Sequence, residues 1–82
     1  MGTAVFFEIV LWNLAVDRDD VEEGLEDVFG ADGEITGAGT GMGRCHLDLE
    51  VVPELDRDEA LERIRGVLDA LEIEEWKINV SD

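Results

Sequence analysis

Basic residues are scarce in this sequence. Lys and Arg together number 6 against 22 Asp and Glu, so the 82-residue chain has a formal net charge of −16 at pH 7. Nucleic acids and anionic membranes attract proteins through Lys and Arg side chains that replace their counterions. We therefore expect no nucleic acid and no membrane among the direct partners. The same composition suits a basic protein partner, a salt-rich cytoplasm or a GC-rich genome.

Cysteine and long apolar runs are equally rare. The single Cys45 excludes an internal disulfide and is typical of a reducing compartment. No apolar stretch reaches the length that is needed to span a bilayer. The apolar segment 4–16 lacks the basic start of a signal peptide and is interrupted by Glu8 and Asn13. These features favour a cytoplasmic location.

The sequence also offers few groups for catalysis. It has one His, His46, and one Ser, Ser81, which stands next to the last residue. Cys45 and His46 are neighbours, so in a strand they point to opposite faces and cannot act as a nucleophile and its base. We predict that the protein is not an enzyme and uses no cofactor.

Apolar residues, by contrast, are numerous enough to build a core. They make up 45% of the chain, which separates it from disordered acidic segments. A chain of this length hides roughly 60–65% of its unfolded surface when it folds. We expect a single domain that spans residues 1–82.

The first half of the chain predicts a strand followed by a helix. Residues 3–12 are rich in β-branched and aromatic types and are apolar at both parities, which is typical of a central strand. Asp17 suits the N-cap of a helix over 18–29, and Gly30 suits its end. One apolar stripe at helical spacing supports this helix: Val21, Leu25, Val28 and Phe29.

A hairpin comes next. Segments 33–39 and 43–52 are predicted to be its arms, with the turn at residues 40–42. Pro53 ends the second arm, which alternates between two faces. One face carries Cys45, Leu47, Leu49 and Val51, and the other carries Arg44, His46, Asp48 and Glu50.

The last third predicts a second helix and a final strand. Asp56 suits an N-cap, and residues 76–80 alternate as a strand does. The element order is then β-α-β-β-α-β, which is the order of the ferredoxin-like sandwich. We predict an α+β fold of this class, with a four-stranded antiparallel sheet in the strand order 4-1-3-2 and two helices on one face. The stripe of the second helix consists of Ala60, Leu61, Ile64, Val67, Leu68 and Leu71.

The uncovered face of this sheet is the first candidate site. If the odd-numbered residues of the first strand face the helices, the even-numbered ones face outward beside His46 of the neighbouring strand. An outward apolar stripe on so charged a protein is typical of an interface. Because symmetric dimers are the commonest oligomers, we expect a homodimer through this face. The outward residues are Phe6, Glu8, Val10 and Trp12.

Two other patterns have simpler explanations. Alternation brings His46 and Asp48 to one face, where Glu8 from the neighbouring strand is close enough to complete an ion site. Protein metal sites usually have more ligands, so we predict no metal there and keep a metal-binding module as the weakest hypothesis. The glycines of the hairpin do not have the spacing of a phosphate-binding loop. Continued alternation would put Gly37, Gly39, Gly41 and Gly43 on the face of Ile35 and Cys45. The simplest explanations are close approach of a helix to this face or bulges in a strongly twisted hairpin.

Charge and the lack of catalytic groups lead to two functional hypotheses. The first is a small, acidic, non-enzymatic interaction protein that docks on a basic partner. In its most specific form it is an inhibitor or immunity-like protein that places carboxylates in a cationic cleft. The alternative is a homodimeric ligand-sensing or regulatory domain. For the first hypothesis the expected contact residues are Glu22, Glu23, Glu26 and Asp27.

Overall fold

The computed structural model describes residues 5–13 and 16–81, and the elements below are those of this part of the chain. The predicted start of the first strand, Thr3 and Ala4, lies outside the described residues. No helix in the described part is both long and apolar enough to cross a membrane. The elements are β1 (Val5–Trp12), α1 (Arg18–Phe29), a 3-10 turn (Gly30–Asp32), β2 (Gly33–Gly41), β3 (Arg44–Val51), α2 (Arg57–Ala70) and β4 (Trp76–Ser81).

The described strands form one four-stranded antiparallel sheet with the order β2-β3-β1-β4. This is the predicted order 4-1-3-2 seen from the opposite edge, so the predicted sheet and the α+β class are confirmed. β1 pairs with β3 on one side and with β4 on the other. It is therefore a central strand, as its composition predicted.

A single hydrophobic core lies between one face of the sheet and both helices. β1 contributes Phe7, Ile9 and Leu11 to it, and these side chains are almost completely buried. Among the described residues no polar or charged side chain is buried. Because both helices contribute to the same cluster, they cover the same face of the sheet. The other main members are Val21, Leu25, Phe29, Cys45, Leu47, Leu49, Val51, Ala60, Ile64, Val67 and Leu68.

Helix α1 has the predicted bounds, but one residue of its predicted core stripe is misplaced. Val28 is 43% exposed, whereas Leu25 and Phe29 are buried. Its position on the helix turns it toward the outer side of the contact between α1 and α2. The two helices are in close contact at Gly24, where an added Cβ would lie 2.9 Å from Cγ1 of Val67.

Both helices begin at the predicted N-cap residues. The backbone oxygen of Asp17 accepts a hydrogen bond from the Asp20 N–H at 3.0 Å, although the Asp17 side chain makes no cap bond. At α2, Oδ1 of Asp56 accepts a hydrogen bond from the Asp58 N–H at 3.4 Å. The predicted starts are therefore confirmed, and side-chain capping is confirmed for Asp56 alone.

Arg63 of α2 ties the 3-10 turn to the helical layer. Its Nη1 atom lies 3.1 Å from Oδ2 of Asp32, and its guanidinium lies 5.6 Å from the centre of the Phe29 ring. A cation over an aromatic face and a charge-assisted hydrogen bond reinforce each other. Arg63 thus fixes the end of α1 against α2.

The hairpin turn lies further along the chain than predicted. β2 continues to Gly41, and the turn is formed by Met42 and Gly43. The φ angles of these residues are 51° and 76°, as a type I′ turn requires. The prediction of a turn at 40–42 is wrong because glycines carry no side-chain pattern that would reveal a strand. Met42 is fully exposed at the tip.

A β-bulge in β2 reverses the predicted direction of the glycines. Ile35 pairs with Leu49 and Gly37 with Asp48, so Thr36 is an extra residue in β2. After this residue, Gly37 and Gly39 lie on the face away from the helices, opposite Asp48 and His46. The prediction that they share the face of Ile35 and Cys45, under a helix, is wrong, and the bulge explanation is confirmed.

The turn geometry leads to a prediction about stability. Gly43→Ala should lower the free energy of unfolding by about 1 kcal/mol, because an alanine at a positive φ is strained. Met42→Asn should raise it slightly, since Asn tolerates the same conformation better than Met. Urea unfolding of the two variants and of the wild type measures both effects. Equal midpoints for Gly43→Ala and wild type would contradict the assigned turn.

Candidate functional site

The uncovered face of the sheet, called the open face below, carries the first predicted site. Phe6, Glu8, Val10 and Trp12 all point away from the helices, as predicted from the parity of β1. Phe6 is 43% exposed, and Val10 and Trp12 are half-buried. In register order from Phe6 to Trp12, their partners on β3 are Glu50, Asp48, His46 and Arg44.

Three side chains at the centre of the open face come together as a cluster. One ligand atom each from Glu8, His46 and Asp48 lies within 4.8 Å of the others. Nε2 of His46 is 3.7 Å from Oδ2 of Asp48, and each of these two side chains is 43% exposed. Glu8 completes the group from β1, directly opposite Asp48. The sequence pattern had these three residues on one face, and the structure brings them into mutual reach.

The glycines of β2 make room for this cluster. An added Cβ at Gly37 would lie 2.9 Å from Oδ2 of Asp48. An added Cβ at Gly39 would lie 3.0 Å from Cε1 and 3.1 Å from Nδ1 of His46. The two side chains therefore lie across β2 over positions that have no side chain of their own. Sequence reasoning missed this role because it placed the glycines on the other face.

The neighbours of the cluster are polar and of both charge signs. Nδ2 of Asn79 donates a hydrogen bond to Oε1 of Glu8 at 3.0 Å, which orients the carboxylate from β4. Arg44 and Lys77, two of the chain's six basic residues, line the depression of about 470 Å³ beside the cluster. The open face is consequently much less acidic than the molecule as a whole.

The four carboxylates of the second predicted site, on α1, differ in exposure and in partners. Nε of Arg18 lies 3.2 Å from Oε2 of Glu22, so Glu22 is half-buried and paired. Glu26 is exposed on the side of α1 that faces β2. Glu23 and Asp27 are exposed one helical turn apart on the outer side. Of the four predicted contact residues, Glu23, Glu26 and Asp27 are exposed and Glu22 is half-buried.

Asp27 borders an apolar groove between the two helices. The groove has a volume of about 390 Å³. Exposed Val28 forms part of its wall, and Gly24 and Gly66 leave it open where larger side chains would fill it. In the sequence, only the small residues on both helices indicate this groove. They can be interpreted only once the packing of α1 against α2 is known. The lining residues are Gly24, Asp27, Val28, Arg63, Gly66, Val67, Ala70 and Leu71.

Cys45 lies outside both surfaces. Its side chain is buried in the core, and burial raises the pKa of the thiol, with a further rise from Glu22 and an opposing effect from Arg18. Burial limits the access of electrophiles to the sulfur, and the raised pKa reduces the thiolate population that reacts with them.

Comparison with protein-family models finds no match for this chain, and comparison with curated proteins finds no relative by sequence.

Thiol labelling provides a prediction from the environment of Cys45. The native protein should react with iodoacetamide much more slowly at pH 8 than the urea-unfolded protein does. The reason is that folding both buries the sulfur and raises its pKa. Mass spectrometry of timed samples measures the rates. Equal rates in the two states would show that Cys45 is accessible.

The charge of the molecule provides a second prediction. Raising NaCl from about 0.01 M to about 1 M shortens the screening length from about 30 Å to about 3 Å. Repulsion among the carboxylates then falls, so the melting temperature should rise. The variant Glu23→Gln/Asp27→Asn, which removes two of these charges, should show a smaller rise. A melting temperature that is independent of salt would contradict this picture of the surface.

Proposed function

We propose that this protein is a non-enzymatic interaction module whose helical side docks on a basic segment of another protein. The observation that supports it most strongly is the apolar groove between α1 and α2 with the exposed carboxylate of Asp27 at its edge. An apolar groove takes up apolar side chains, and flanking carboxylates select a partner that carries Lys or Arg. The proposal therefore names a cationic, amphipathic segment as the occupant.

The charge distribution supports the choice of a basic partner. Helix α1 has six carboxylates, whereas its one basic residue, Arg18, is held by Glu22 and by the Thr40 hydroxyl. With a net charge of −16, the molecule attracts cationic proteins over long distances and speeds their association. The rate of association should fall steeply with salt for the same reason.

Electrostatic attraction alone does not define where a partner binds, whereas the groove provides a specific binding position. Val28, Val67 and Leu71 provide apolar surface on which a partner's Leu, Ile or Phe side chain can be buried. Full burial of one such side chain contributes about 1.5–3 kcal/mol. Asp27, at the edge of the groove, and Glu23, one turn before it, would then pair with cations that flank the buried residue. In the most specific form of the proposal, the partner is an enzyme that this protein inhibits by blocking a cationic cleft.

Gly66 allows the groove to be tested without unfolding the protein. No atom lies within 4 Å of a Cβ added at this position, so a larger side chain fits sterically and projects into the groove. Gly66→Ala should raise the free energy of unfolding by about 1 kcal/mol, because glycine is a poor helix former. Gly66→Leu should keep the stability at or above wild type while it fills the groove.

The binding experiment compares proteins retained from an extract of the source organism at low salt. Wild-type protein should retain a basic protein that Gly66→Leu and Glu23→Gln/Asp27→Asn retain weakly or not at all. The matched control is Glu34→Gln/Glu50→Gln, which removes the same charge from the opposite side of the sheet and should bind as wild type does. If both double variants lose binding equally, the attraction depends on net charge and the groove is not the site. If no basic protein is retained, the proposal fails.

A homodimer through the open face is the second candidate, as a ligand-sensing or regulatory domain. The exposure of Phe6, together with the outward direction of Val10 and Trp12, favours it. Trp12→Asp should then convert a dimer into a monomer, and sedimentation velocity measures this directly. Gly66→Leu serves as its control, because the groove lies on the other side of the molecule. A monomeric wild type would contradict this candidate.

We further infer that the architecture is the ferredoxin-like sandwich within a single domain of residues 1–82. The order β-α-β-β-α-β and the antiparallel order 4-1-3-2 support this assignment. The single cysteine of the chain, the buried and free Cys45, supports a reducing, cytoplasmic location.

A further inference from the structure

We propose that Glu8, His46 and Asp48 on the open face bind one divalent transition-metal ion of the zinc class. The inference goes beyond docking on the helical side, because the cluster lies on the opposite face of the sheet. It differs from the sequence-based prediction of no metal, which relied on the small number of ligands. The proposal rests instead on the geometry of the cluster.

The separations of the ligand atoms suit a shared ion. Zinc bonds to imidazole nitrogen and carboxylate oxygen are about 2.0–2.2 Å long, so two ligands of one ion lie at most roughly 4.3 Å apart. Nε2 of His46 and Oδ2 of Asp48 are 3.7 Å apart and already meet this limit. The ligand atoms of all three residues lie within 4.8 Å of one another, slightly above this limit.

Features outside the cluster hold these ligands in place. Side chains at Gly37 or Gly39 would collide with Asp48 or His46, so the bulge that turns these glycines outward makes room for both ligands. Asn79 binds Oε1 of Glu8 and leaves the second carboxylate oxygen for an ion. Hydrogen bonds of this kind orient the ligands of protein metal sites.

The donor set selects the class of ion. Imidazole binds zinc, copper, iron and nickel well, whereas calcium and magnesium prefer sites built of oxygen alone. One imidazole and two carboxylates also neutralise the charge of a divalent ion. Three protein ligands leave at least one coordination position for water or another donor, as in catalytic zinc sites. Arg44 and Lys77, beside the cluster, favour an anionic donor at that position.

Equilibrium dialysis of the purified protein against Zn²⁺, with a large molar excess of Mg²⁺, tests the site. The excess of Mg²⁺ occupies the general acidic surface, so a single retained equivalent of zinc reports a specific site. His46→Gln and Asp48→Asn should each weaken zinc binding by about tenfold or more. The matched control is Glu50→Gln, which removes one charge from the same strand face outside the cluster and should bind as wild type does.

Two further measurements separate coordination from general attraction. His46 is the only His in the chain, so its imidazole nitrogens form a unique NMR signal that should shift on addition of a single equivalent of Zn²⁺. Gly39→Val keeps every ligand but pushes the His46 ring aside, and it should weaken zinc binding while circular dichroism shows an intact fold. The proposal is overturned if Mg²⁺ displaces the zinc, if Glu50→Gln binds as weakly as Asp48→Asn, or if the imidazole signal does not move.

Discussion

The burial of one face of the β1–β3 strand pair under two helices is the constraint on which the rest of the structure depends. Phe7, Ile9 and Leu11 are almost completely buried there. Because side chains alternate strictly along a strand, burying these residues forces their neighbours to the other face. The positions of Glu8, His46 and the other outward residues of β1 and β3 follow from this burial. No separate interaction is needed to turn them outward.

The acidity of the chain is compatible with this core because the two are separated in space. No charged side chain is buried among the described residues, so the carboxylates remain hydrated. They destabilise the fold mainly through mutual repulsion. The repulsion is uneven, since α1 concentrates acidic residues while the open face carries Arg44 and Lys77. The molecule thus has a strongly acidic side and a mixed side, with different chemistry available on each.

Much of the fold follows from local sequence patterns, and the exceptions have physical reasons. The bounds of α1, both N-caps and the alternation of β3 were predictable because side chains there repeat with a clear period. The bulge at Thr36 and the turn at Met42–Gly43 were not, because glycine has no side chain to reveal which face it occupies. Val28 was misplaced because its surroundings are set by α2, far away in the chain.

The cluster on the open face and the groove between α1 and α2 also differ in how far the sequence predicts them. Alternation alone placed Glu8, His46 and Asp48 on one face, so this cluster could be anticipated from sequence, although the glycines beneath it could not. The groove between α1 and α2 depends on how two helices that are distant in sequence pack together. Local sequence patterns do not determine this packing.

The bulge at Thr36 makes the position of β2 along β3 matter for the open face. β2 is an edge strand, paired on one side among the described strands, so its register depends on that one ladder. If Thr36 were taken into regular pairing, β2 would slide by one residue. Thr36 would then lie opposite Asp48 and Ala38 opposite His46. A shift of this edge strand by one residue would replace the glycines opposite Asp48 and His46 with residues that carry methyl groups, with no change in the amino-acid sequence.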